Sequence, residues 1–192
     1  MAEIMSESTS IIIVSGLPRS GTSLMMHMLH AGGMPVLTDH IRQADVSNPH
    51  GYFELEAVKE TRRNAQWLQT AAGHAVKMIY RLLYDLPSDR SYHVLLMRRD
   101  LRQVVASQQA MLGKINATAV ENQRLEAIFH KEITAVDNWL AAQNNFAVHD
   151  VSHAGLISNP GAEAEQIKTF LNYPLNIAAM CAVVNPALHR QK

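Results

Sequence analysis

Short apolar runs alternate with helical stripes along this chain. Residues 11–15, Ile-Ile-Ile-Val-Ser, are rich in β-branched side chains and read as a strand buried on both faces. Residues 22–30 carry Leu24, Met25, Met28 and Leu29 on one helical face, with Gly32-Gly33 as a stop. Short strands are predicted at 35–37, 75–79, 92–97 and 146–151. Helices are predicted at 55–72, 101–112 (with Asp100 as N-cap), 119–142 and 161–171, and a short one after Pro174. A turn-rich stretch, Ser47-Asn48-Pro49-His50-Gly51-Tyr52-Phe53-Glu54, separates the first two helices. No repeat, low-complexity tract or long linker interrupts the pattern.

Strands alternating with helices predict an α/β domain with a mainly parallel central sheet flanked by helices. One domain over residues 1–192 accounts for the whole chain. In such sheets, ligands sit beyond the carboxyl ends of the strands. That rule puts Gly16 to Ser23, Asp39, His40, Tyr80, Arg98 and Arg99 on one rim.

The turn after the first strand carries the strongest chemistry. Gly16 is followed by four residues, then Gly21 and two hydroxyl residues, Thr22 and Ser23. Strand, glycine loop and helix in that order make a P-loop-type phosphate cradle, in which backbone N–H groups converge on an anion at a helix N-terminus. A loop for nucleoside triphosphates has Lys just after the second glycine. Here that position is Thr22, and the nearby cation is Arg19, inside the loop. A second anion site is predicted where Arg99 ends a strand and Ser107 lies eight residues on, along the following helix. Two anion sites on one rim suit a ligand with two separated phosphates.

Composition adds limits. The formal net charge is zero, which excludes a nucleic-acid partner held by bulk charge. The single Cys181 rules out an internal disulfide and fits a reducing compartment. The acidic start, Met1 to Ser8, has no signal-peptide pattern, and no apolar run reaches the ~20 residues of a membrane span. A cytoplasmic location is therefore expected. Asn116-Ala117-Thr118 matches a glycosylation acceptor and is read as loop chemistry. His27 and His30 are three apart on a helix, but no further ligand pattern joins them, so no metal is expected. Trp67, Tyr80 and Tyr84 read as packing groups.

The two motifs together resemble those of the sulfotransferases that use 3′-phosphoadenylyl sulfate (PAPS). The first motif is matched by Pro18-Arg19-Ser20-Gly21-Thr22-Ser23-Leu24, and the second by Arg99 and Ser107. The Gly51-Tyr52-Phe53-Glu54 segment is similar to that of small bacterial members. The resemblance covers roughly residues 10–110. It implies a three-layer P-loop-type sandwich. It also implies that the first motif cradles the 5′-phosphosulfate end and that Arg99 and Ser107 bind the 3′-phosphate. Arg19 and Lys77 would neutralise the phosphate that leaves, with no metal required.

Two departures stand out. Many members carry Lys-Thr-His before the second motif; Lys77-Met78-Ile79 keeps the Lys and lacks the His. Other members use a Glu upstream, which makes Glu54 the candidate base and Glu56 the second. The family's late Arg-Lys-Gly segment has no match; the late basic cluster here is His189-Arg190-Gln191-Lys192. The implied reaction moves a sulfuryl group to a hydroxyl or amine on a small-molecule, glycan or lipid acceptor. Two rivals stay open: a P-loop kinase or NTPase, with Asp150 as its acidic metal partner, and a nucleotide-binding homologue without turnover.

Overall fold

A computed structural model describes residues 10–45, 48, 51–113 and 117–185. The acidic start, Asn116 and the late basic cluster lie outside the described residues. Four strands, β1 (Ile11–Gly16), β2 (Ala75–Lys77), β3 (Tyr92–Arg98) and β4 (Phe146–Ser152), form one sheet in the order β2-β1-β3-β4. Every pairing is parallel, with Ile13 opposite Val76 and Val94, and Val94 opposite Val148. Among the described residues six α-helices accompany them: α1 (Thr22–Ala31), α2 (Leu101–Met111), α3 (Ala119–Ala141), α4 (His153–Ser158), α5 (Pro160–Leu171) and α6 (Ile177–Ala182).

The sheet is covered on both faces, so the α/β domain expected from the pattern forms, and it has the three-layer sandwich that the resemblance implies. Successive side chains of β1 point to opposite faces. Ile11 and Ile13 join a core that includes Val104 of α2 and Phe129, Val136 and Leu140 of α3. Ile12 and Val14 join a second core with Met25, Met28 and Leu29 of α1, Ile167 of α5 and Met180 of α6. All six β1 residues are buried, which is why that run is continuously apolar up to Ser15.

Most elements fall within a residue or two of their expected ends. Asp100 caps α2 by accepting from the Gln103 N–H, and Thr118 and Glu121 form a reciprocal capping box on α3. The segment 35–37 is reduced to a single parallel bridge, Val36 to Ala75, on the edge of β2. The helix expected at 55–72 does not form. Two short 3₁₀ turns, Glu56–Glu60 and Gln66–Gln69, replace it. Side chains compete with helical bonding here: Thr61 donates to the Val58 carbonyl, and Asn64 accepts from the Gln66 N–H. The broken path buries Trp67, whose indole N–H donates to the Thr61 hydroxyl at 3.0 Å.

Arg98 ends β3 by tying two other elements to it. It donates to both Asp137 carboxylate oxygens on α3, at 2.6 and 3.2 Å, and to Asp150 on β4 at 2.8 Å. Its side chain is 31% exposed, so solvent screens the gain. Arg98→Met keeps the stem and removes the fork. It is expected to cost about 1 kcal/mol, read as a lower urea midpoint with an unchanged slope.

Candidate active site

Because all four strands run parallel, their carboxyl ends share one rim, and a cavity of about 360 Å³ opens there. The loop after β1 supplies one wall. Gly21 holds φ at +104°, and α1 begins at Thr22 with no side-chain cap and no acidic residue in its first turn. The first-turn N–H groups are therefore left for an anion. Arg19 also sits in the left-handed region, at φ +69°. Pro18, Arg19, Gly21, Thr22, Ser23 and Leu24 all line the cavity. Ser20 turns inward; its hydroxyl is buried and unpartnered.

Gly21 has a packing reason beyond φ. A Cβ there would lie 2.6 Å from Cδ2 of His153, the first residue of α4. Gly21→Ala is expected to cost about 1–2 kcal/mol in urea unfolding. Adding His153→Ala should recover the steric share and leave the φ strain.

The second wall comes from the end of β3 and from α2. Arg99 donates to the Arg19 carbonyl at 3.0 Å and to the Gln103 side chain at 3.2 Å. Arg19 reaches across to α2, its Nε donating to the Ser107 hydroxyl at 3.0 Å. The two expected anion sites thus touch: the loop's own cation rests on the second motif's hydroxyl. Among the described residues neither Arg19 nor Arg99 makes an ion pair with an acid, whereas Arg98 makes two. Burial, and then the Arg19 charge, hold Arg99 below its ordinary value.

The third wall gathers Lys77, Glu54, Tyr52 and Arg42. The Lys77 ammonium, at the end of β2, donates to the Tyr52 carbonyl at 2.5 Å. It also reaches the Ser23 hydroxyl and Glu54 Oε1, each at 3.3 Å. Its side chain is 9% exposed. Burial pushes the ammonium below its usual value, and the Glu54 carboxylate opposes that. Arg42 donates to the same Glu54 oxygen, Oε1, at 2.8 Å. The Arg42 guanidinium lies 3.5 Å from the centre of the Tyr52 ring, and the Tyr52 hydroxyl donates to both Asp45 oxygens. Both cations hold one oxygen of Glu54, so Oε2 is the one not engaged by them.

The sequence matches no family model and no curated protein. Solved structures do match. The sulfotransferase domain from the curacin biosynthetic pathway aligns over 91% of this chain and 77% of its own, with a TM-score of 0.54 and 16% identity. Sulfotransferase STF9 from Mycobacterium avium aligns over 97% of this chain and 69% of its own, with a TM-score of 0.55 and 14% identity. The fold is that of the sulfotransferases.

Within this sulfotransferase fold, the expected residues are not all at the cavity. Glu54 lines it; Glu56 does not, and pairs instead with Lys59. Asp39 spends its carboxylate on the Ile41 and Glu56 N–H groups, which outweigh burial and hold it below the ordinary value. His40 is also away from the cavity, and Tyr80 donates to Glu132 on α3. Asp150 is occupied by Arg98. Among the described residues no group of three His, Cys, Asp or Glu is placed to hold a metal, and His27 stacks on Phe53. No described helix is long and apolar enough to cross a membrane.

Sequence reasoning missed Arg42, Gln108 and His153 as cavity residues of this sulfotransferase fold. Arg42 lies in a stretch without periodicity. Gln108 neighbours Ser107 and was available to inspection. His153 opens a helix that no strand-helix pattern announced.

Proposed function

We propose that this protein is a transferase that moves a sulfuryl group from PAPS to a hydroxyl or amine of a small acceptor. One observation carries the reading: two half-buried guanidiniums, Arg19 and Arg99, stand together at a strand-end cavity with no acidic ion-pair partner among the described residues, beside the Ser107 hydroxyl. Two like charges at one place are stable when an anion joins them. The uncapped start of α1 fits the same kind of ligand. The donor fits these residues: Arg99 and Ser107 would hold its 3′-phosphate, and Pro18 to Leu24 its 5′ end. When bound, it supplies a sulfuryl group on a phosphate leaving group.

The chain's own part is positioning and charge. The loop N–H groups and the hydroxyls of Thr22 and Ser23 fix phosphate oxygens. Lys77, already at the Ser23 hydroxyl, neutralises charge there, and Arg19 spans from the loop to α2. Glu54 takes the acceptor's proton on Oε2. The likeness to two sulfotransferases supports the fold behind this reading; the donor and the chemistry are its proposed content. A kinase reading would want Asp150 at the cavity, and that carboxylate belongs to Arg98.

The test is thermal unfolding with adenosine 3′,5′-bisphosphate, followed by transfer of labelled sulfate from PAPS to a panel of phenols, sugars and lipid alcohols. Stabilisation without Mg²⁺, then labelled product, is the expected result. A response only to ATP with Mg²⁺ would replace this reading with a kinase. Stabilisation with no transfer to any acceptor would leave a nucleotide-binding homologue.

A further inference from the structure

Gln108 sits on α2 directly after Ser107 and lines the same cavity as Arg19 and Arg99. Its side-chain oxygen is buried and has no hydrogen-bond partner. A buried amide oxygen without a donor is costly, and in folded proteins such atoms ask for a reason. α2 is anchored by the Asp100 cap and by Val104 and Val105, one turn before Gln108 on the same side of the helix. Those side chains are apolar and offer the amide oxygen no donor, so a donor has to come from the cavity that Gln108 lines. Two neighbouring side chains of α2 face Arg19: Ser107 at 3.0 Å from its Nε, and Met111, one turn on from Gln108, at 3.9 Å from Nη1.

We propose that Gln108 reads the nucleoside. Its amide oxygen accepts a hydrogen bond from an N–H or O–H of the nucleoside whose phosphate lies on Arg99 and Ser107. The inference rests on the donor reading above. The last torsion of a Gln side chain is broad, so the amide turns toward an incoming donor without moving its stem. A nucleoside beside a 3′-phosphate offers two such donors: the ribose 2′-hydroxyl, next to the phosphate, and the exocyclic amine of adenine. Gln is suited to either, since an amide presents an acceptor and a donor side by side. This contact also gives the nucleoside end a protein partner within the first two-thirds of the chain.

The experiment is calorimetric titration with three ligands: adenosine 3′,5′-bisphosphate, its 2′-deoxy form, and its inosine counterpart. Wild type, Gln108→Leu and Gln108→Met are compared, the last keeping stem length, with thermal unfolding as the folding control. In wild type, one of the two analogues should bind about 5- to 30-fold more weakly than the parent. That analogue identifies the donor group. In both variants the parent should weaken by the same factor, and the ratio of parent to that analogue should fall to about one. The inference is overturned if the variants bind the parent as wild type does, or discriminate the analogues equally well. It is also overturned if wild type discriminates neither. Failure of wild type to bind any of the three overturns the donor reading itself, which separates the two failures.

Discussion

Glu54→Gln should lower sulfuryl transfer by roughly 10²- to 10⁴-fold while leaving affinity for adenosine 3′,5′-bisphosphate within about twofold. The substitution is nearly isosteric. Its carbonyl can still accept from Arg42 and Lys77, which both bond Oε1 in the native chain. Its NH₂ group replaces Oε2, the oxygen to which the proposed reading assigns the acceptor's proton, and cannot take one. On the proposed reading the nucleotide lies against walls that Glu54 does not build, namely the loop after β1 and α2. A Glu54→Gln protein that transfers at the native rate would remove Glu54 as the base. Parallel loss of binding would mean that the residue holds the cavity together and that its role is architectural.

The second large effect is on binding. Arg99→Ala and Arg19→Ala should each weaken adenosine 3′,5′-bisphosphate by about 10- to 100-fold, the range expected for losing a charge-assisted bond. Arg99→Lys should recover part of that, since an ammonium restores the charge without the planar fork. The double variant should lose ~10³-fold or more. The two effects need not add, because Arg19 and Arg99 repel one another: the Arg19 charge helps push Arg99 below its ordinary value. Removing one relieves the other. Affinity should also fall with ionic strength in wild type, and less steeply in either single variant. If titration finds both singles unchanged, the paired guanidiniums are not an anion site.

These two predictions draw on different levels of the molecule. The cradle after β1 is a contiguous stretch, so its spacing, its glycines and the start of α1 could be read from residues 11–24 alone. Local sterics and hydrogen bonding set such a turn. Asp100 and Thr118 as caps are readable for the same reason. The alternation of strand and helix carries the layer order, because each apolar face must find a partner. The 55–72 segment shows the limit. Its apolar residues suited a helix, but Thr61 and Asn64 offered the backbone other bonds, and burial of Trp67 chose between them.

What the chain by itself determined is therefore the α/β class and the glycine turn between β1 and α1, and it named Arg99 and Ser107 as candidates for a second anion site. Tertiary structure decided which cations remain open. Arg98 and Arg99 are adjacent and chemically alike, yet one turns to Asp137 and Asp150 and the other to the Arg19 carbonyl. It also separates Glu54 from Glu56, two residues apart, by sending only the first to Lys77 and Arg42. The physical reason is range. Periodicity and turn chemistry act over a few residues, whereas Arg19 meets Ser107 across 88 positions and Lys77 meets Ser23 across 54. Such contacts depend on strand order and on the path of irregular loops, and no local pattern encodes them.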